Sequence, residues 1–411
     1  MVLFIQLDNK GAVRINAWKL EAKKNPEQLI KWRRWCHQHP GIGFDVEETA
    51  DYIAAHLREW GVEVERGVGK SGVVGIVRGA QPGPTIGIRA DMDALPIQEE
   101  NAHAFVSKSP GKMHACGHDG HIAMGLGAAM LLARKRQQLS GTVVLIFQPG
   151  EEGWQGAKAM IDDGVLVRHQ VEALVACHLG TLSPELAPGQ VGFTYGPIMA
   201  AVNIFEAWVT GRGGHGAMPH NTIDPVVISA EIITAWQRIL TREMSPLYPA
   251  VLTVGQIHGG QTHNIIPSEV YLQGTLRYFH QEAGEILKTR LAEVMAGICS
   301  AWKARYRLKF DQGYPPVVND PQFTRFFNRI ATSLAGDENV KVLEYPIMVS
   351  EDVSYFLQEV PGTFFLLGAG NPATDYPHHH SRFDFDESVL WLGTALLAAT
   401  AWQYTAESSN K

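Results

Sequence analysis

Short apolar runs that end in polar clusters, alternating with helical stretches, restrict this chain's fold more than any other feature. The runs are VVGIVRG (73–79), TIGIRADMD (85–93), TVVLIFQPG (142–150) and EALVACHLG (172–180), with FFLLGAG (364–370) far down the chain. Each suits a strand buried on both faces and is too short for a helix. NPEQLIKWRRWCHQ (25–38) and VEETADYIAAHLREWG (46–61) instead have the look of amphipathic helices. The alternation predicts an α/β fold, a mixed, mainly parallel sheet flanked by helices. In such sheets the chemistry gathers beyond the C-terminal ends of the strands. The clusters RADMD, QPGEEG and CHLG mark that edge here.

Residues 197–310 follow another pattern: an apolar run, the loop GRGGHGAMPHNT, a helix (222–242), strands at 250–258 and 269–278, and a helix (281–303). That order predicts a small α+β domain. Strand–helix alternation resumes after Pro315. The expected organisation is therefore a catalytic domain built from 1–196 and 311–411, with 197–310 inserted as a lid or dimerisation domain. GVGKS (67–71) resembles part of a phosphate loop, but Val64 stands where that motif needs glycine, so a hairpin connection is expected. No apolar run reaches the ~20 residues of a membrane span, and SVLWLGTALLAATAWQY (388–404) reads as a buried C-terminal helix. A net charge of −7 speaks against a nucleic-acid partner. Four cysteines without a CxxC pair favour a reducing cytoplasm over a disulfide framework.

The densest chemistry is MHACGHDGH (113–121). Cys116 and His118, two positions apart, can point the same way on an extended or turning chain, and thiolate with imidazole suits zinc and similar ions. The plainer alternative is a buried cysteine beside a satisfied histidine; the company of His114, Asp119 and His121 favours metal. Asp119 is a candidate to hold the second nitrogen of His118. Adjacent glutamates at a strand end are most often solvated, but Glu151 and Glu152 follow a buried run and a Pro-Gly turn. A metal hydrolase needs one carboxylate on the ion and another to take a proton. His178 closes a further strand, and PHHHSRFDFDE (377–387) offers three more histidines. Asp91 and Asp93 lie at the end of RADMD without an assigned role.

Taken together, RRWCHQHPGIGFDVEET, RADMDALPI, MHACGHDGH, QPGEEGWQGAKAMIDDGV, HLGT, GRGGHGAMPH, THNIIPSEVYLQGTLR, SEDVSYFLQEVPG and HHHSRFDFDE make the chain resemble a known family over nearly its whole length. It is similar to the metal-dependent amidohydrolases that include hippurate hydrolases, N-acyl-amino-acid amidohydrolases and auxin-conjugate hydrolases, within the dizinc aminoacylase and carboxypeptidase superfamily. The resemblance implies Cys116, His118, Glu152, His178 and a histidine of the 378–380 run as metal ligands; counting back four from Phe383 selects His379. It implies Glu151 as general base, His215 as a group polarising the substrate carbonyl, and Asn264 with Arg277 as the pair holding a substrate carboxylate. One or two divalent ions (Zn, Mn, Co or Ni) would serve as cofactor. The expected reaction is hydrolysis of a small N-acyl amino acid, completed by closure of the inserted domain, in a homodimer or higher homo-oligomer. A metallocarboxypeptidase or dipeptidase of the same superfamily is the alternative.

Overall fold

The computed structural model describes residues 9–311, 313–371 and 376–408. It divides into two compact units, one of Met1–Ile198, Val318–Ile347 and Asp352–Lys411, the other of Met199–Val317 and Met348–Glu351.

In the first unit the apolar runs become strands of one eight-stranded sheet. Their spatial order is Glu63–Val68, Gly72–Arg78, Ser140–Gln148, Gln81–Asp91, Ala173–Gly180, Gly362–Gly368, Val191–Phe193 and Val340–Val342. The four central strands, from Ser140–Gln148 to Gly362–Gly368, run parallel. Outside them the pairs are antiparallel, except that Val340–Val342 runs parallel to Val191–Phe193. Ala173–Gly180 and Gly362–Gly368 are buried at every position, as expected of strands covered on both faces. Register brings Asp91 opposite Gln148 and Gly180 opposite Gly368, so the polar strand ends finish at one edge. The helix His118–Arg134 is buried almost all round. It packs on Gln81–Asp91 and against the helices Pro26–Gln38 and Leu390–Ser408. Gly125 permits that closeness, since a Cβ there would sit 3.0 Å from the Phe147 ring. Burial of Phe147, 1% exposed, contributes about 1.5–3 kcal/mol.

GVGKS forms the turn of the hairpin between Glu63–Val68 and Gly72–Arg78, with Gly67, Gly69 and Lys70 at positive φ. The C-terminal apolar run forms the helix Leu390–Ser408; among the described residues no helix is long and apolar enough to cross a membrane.

The second unit has the order strand, helix, strand, strand, helix, strand. Its antiparallel sheet is ordered Ala250–Gly259, Glu269–Tyr278, Ala201–Thr210, Arg305–Asp311. Ala201–Thr210 alternates buried and less buried positions because the helices Pro225–Arg242 and Gln281–Ala301 pack against the sheet. Phe205, Trp236, Leu272 and Leu287 belong to the resulting core. The strand Arg305–Asp311 was not read from sequence. RYRLKFD is largely exposed at the sheet margin; its strand signal is the alternation of Tyr306, Leu308 and Phe310 with charged residues, not a continuous apolar run. This strand runs past the expected boundary at residue 310, and the unit extends to Val317 and includes the return segment Met348–Glu351.

Candidate metal centre

The edge of the large sheet assembles its side chains from segments far apart in sequence. After Gln148, Pro149 and Gly150 (φ 66°) turn the chain and present Glu151 and Glu152. Glu151 N–H and Glu152 N–H donate to the two carboxylate oxygens of Asp93, at 2.9 and 3.1 Å. Asp352 N–H reaches Glu151 Oε1 at 3.4 Å. The strand Ala173–Gly180 delivers His178. In MHACGHDGH, Gly117 adopts φ 90° and the helix starts at His118, so the left-handed turn separates Cys116 from His118.

Hydrogen bonds fix which nitrogens are available. His118 Nδ1 donates to the Asp93 carbonyl at 2.9 Å, leaving Nε2 buried and without a hydrogen-bond partner. That Nε2 lies 3.5 Å from Asp91 Oδ2 and 3.9 Å from Glu152 Oε1. Glu152 Oε1 is a second buried atom without a hydrogen-bond partner. His178 Nδ1 donates to the Leu179 carbonyl, and its Nε2 lies 3.5 Å from Cys116 Sγ. His379 Nε2 is 3.3 Å from Glu152 Oε1. Ligand atoms of Cys116, Glu152 and His379 lie within 4.8 Å of one another, as do those of His118, Glu151 and Glu152, and those of Cys116, His178 and His378. Cys116 and Glu152 each belong to two of these groups. Sulfur, imidazole and carboxylate donors around two orphaned buried acceptors fit a divalent metal.

The electrostatics agree with that fit. Burial works against a charged imidazole at His118, yet the carboxylates of Asp91, Asp93 and Glu152 push its pKa up to about 10. Burial and the carboxylates of Glu152, Glu151 and Asp91 raise the Cys116 thiol well above its usual range. Burial and the neighbouring imidazoles of His121, His378 and His118 hold His178 low, and therefore neutral. The field favours a cation at this point, either a proton on His118 or a metal ion in its place.

The other histidines sort themselves by partner. His121 donates Nδ1–H to Asp91 and accepts Leu179 N–H at Nε2, so both nitrogens are committed. His114 is buried with neither ring nitrogen hydrogen-bonded, and burial pushes its pKa down to about 3. In the 378–380 run, His378 Nε2 accepts Thr181 N–H, and His380 Nδ1 accepts Arg382 N–H while its ring stacks on Tyr376. His379 takes φ 66°, and its ring reaches Glu152.

One expectation is corrected. Asp119 does not hold His118; its carboxylate accepts from Arg33 Nε and His37 Nδ1, both at 2.8 Å. Consecutive helical side chains diverge by about 100°, which sends Asp119 into the helix packing and His118 to the strand ends. Asp93, which has no assigned role in the sequence, is instead the residue that meets His118 and both glutamate amides.

The remaining site candidates lie in the second unit. His215 pairs with Ile265 in a short ladder, and its Nδ1 accepts Ala217 N–H at 3.0 Å. The Asn264 carbonyl accepts Gly216 N–H at 2.9 Å, which makes Asn264 a neighbour of His215. Arg277, on Glu269–Tyr278, donates Nη1–H to the Met348 carbonyl at 2.8 Å.

Comparison with known proteins gives a consistent picture. Residues 87–403 match the model of peptidase family M20/M25/M40. The chain is 39% identical over 400 residues to IAA-amino acid hydrolase ILR1-like 2 of Arabidopsis thaliana, covering 95% of this chain and 89% of that protein. It is 39% identical over 393 residues to thermostable carboxypeptidase 1 of Saccharolobus solfataricus, covering 94% and 98%. The crystal structure of the Bacillus subtilis YXEP protein, described as a dinuclear metal binding peptidase, superposes with a TM-score of 0.81 at 33% identity, covering 94% and 99%.

Proposed function

Because the chain belongs to peptidase family M20/M25/M40 and is a metal-dependent amide hydrolase, we propose that it cleaves the amide bond of N-acyl amino acids, aromatic or aliphatic, releasing a carboxylic acid and a free amino acid. The observation that carries this reading is the turn on which Glu151 and Glu152 stand side by side above the Cys116, His118, His178 and His379 donors.

In this reading Cys116, His118, Glu152, His178 and His379 hold one or two divalent ions, with Zn, Mn, Co and Ni all compatible with the donor set. When bound, the metal supplies Lewis acidity toward the scissile carbonyl and toward water. Glu151 takes the proton of the attacking water and passes it to the leaving amine. His215 accepts Ala217 N–H at Nδ1, so its proton resides on Nε2 and is available to a developing oxyanion. Arg277 gives one of its five donors to Met348, and the guanidinium fork suits a substrate carboxylate, with Asn264 as its partner in that role. We place the enzyme in the cytoplasm, where its four free, buried cysteines stay reduced. We assign it a homodimeric or higher homo-oligomeric state, with the inserted unit as lid and dimerisation domain and the exposed edge strand Ala250–Gly259 as pairing surface.

A carboxypeptidase or dipeptidase is the second reading, favoured by the likeness to a thermostable carboxypeptidase. The experiment is chelation followed by single divalent ions, with metal counted per chain and turnover measured on hippurate, N-acetyl amino acids and dipeptides. Restored hydrolysis of the N-acyl substrates supports the first reading. Turnover confined to peptides supports the second, and a chain that binds no metal refutes both.

A further inference from the structure

Asp93 makes three contacts to three residues of the proposed site. Its carboxylate is fully buried, and a buried carboxylate is costly unless donors meet it. Glu151 N–H takes one oxygen and Glu152 N–H takes the other. Its carbonyl accepts His118 Nδ1–H. Asp93 Oδ1 lies 3.7 Å from that same Nδ1, on the side of the imidazole away from the orphaned Nε2, so the carboxylate stands behind His118 rather than among the ligand atoms.

Two consecutive N–H groups aimed at one carboxylate fix both peptide planes of the turn. With the backbone pinned, the two glutamate side chains leave in set directions: Glu151 toward Asp352 N–H, Glu152 toward His118 and His379. An asparagine is the same size but offers a single oxygen, and its NH2 group would face a backbone donor.

We propose that Asp93 is a positioning residue that divides two adjacent glutamates between proton transfer and metal binding, and orients His118 at the same time. This rests on the assignment of Glu151 as base and of Glu152 and His118 as ligands.

The test is Asp93→Asn, alone and combined with Glu151→Gln, with metal counted per chain and kcat and KM measured on hippurate. Asp93→Asn keeps the main-chain carbonyl that meets His118 but loses one carboxylate oxygen, so it is expected to bind metal more weakly and, at saturating metal, to keep KM while kcat falls about 10²-fold, the cost of a displacement near 1 Å. In the Glu151→Gln background the same change is expected to cost only a few-fold more, because both act through one group. Activity per bound metal equal to the parent, or losses that multiply in full, overturn the proposal. Hydrogen exchange on the unaltered, metal-loaded enzyme tests the clamp even if the variant does not fold. The Glu151 and Glu152 amides are expected to be protected, and exchange at the rate of exposed loop amides overturns the clamp. If Glu151→Gln alone keeps the parent rate, the base assignment fails, while protected amides would still show the clamp.

Discussion

Replacing Glu151 and Glu152 in turn by glutamine should separate two functions that neighbouring, isosteric residues perform. Both backbone amides donate to Asp93, and neither substitution touches those bonds. The fold of the turn should therefore survive in each variant. Glu151→Gln removes a proton acceptor but can still take Asp352 N–H on its amide oxygen. General-base catalysis is worth about 10²–10⁴ in rate, or roughly 3–5 kcal/mol of barrier. The expected result is full metal content, an unchanged melting temperature and kcat reduced by that factor. Glu152→Gln instead neutralises the oxygen that lies 3.3 Å from His379 and 3.9 Å from His118 with no hydrogen-bond partner. That variant should lose metal first, with activity recovering in part as the ion is raised. Metal per chain by mass spectrometry and steady-state kinetics on hippurate decide the matter. A Glu151→Gln enzyme within tenfold of the parent would refute the base. Equal metal loss in both variants would refute the division of roles.

Other consequences follow from the surrounding charges. Arg277→Ala should lower kcat/KM for substrates with a free carboxylate by roughly 10- to 10²-fold, matching about 1.5–3 kcal/mol for a hydrogen bond to a charged group, and leave the corresponding amides nearly unaffected; equal losses would remove it from recognition. Arg33 is fully buried and meets Asp119, Asp384 and Glu387 at 2.8, 2.8 and 3.1 Å. Arg33→Leu leaves Asp119 buried and unpaired by it, so a loss of about 3–5 kcal/mol is expected in denaturant unfolding, and a loss below about 1 kcal/mol would mean the cluster re-pairs at little cost. Burial would lower the pKa of His37, but its bonds to Asp119 and Glu99 hold it above the ordinary value. A raised folded pKa gives stability that is complete below the unfolded value of about 6.5 and is lost as pH climbs through the folded one. His37→Gln should therefore be most destabilised at acid pH and approach the parent at alkaline pH; a gap that widens with pH would contradict this.

The residue types of the metal centre were legible because ligand chemistry belongs to the side chain, and Cys116-x-His118 and Glu151-Glu152 are local in sequence. The sheet was legible for a similar reason: continuous apolar runs suit strands covered on both faces, and Ala173–Gly180 and Gly362–Gly368 are such strands. RYRLKFD is not such a run: its signal is the alternation of Tyr306, Leu308 and Phe310 with charged residues, which a search for continuous apolar stretches passes over. Hydrogen-bond partners were also beyond reach. Asp119 turned to Arg33 and His37, from another helix, while His118 found the carbonyl of Asp93, 25 residues away. Within the 378–380 run, sequence offers three equivalent imidazoles, and only the fold gives each its surroundings: His378 meets Thr181 N–H, His379 faces Glu152 and His380 meets Arg382 N–H. Sequence thus named the groups able to bind a metal and move a proton. Their hydrogen-bond partners and directions came only from the tertiary structure, because those depend on donors and acceptors that strand register brings together from distant parts of the chain.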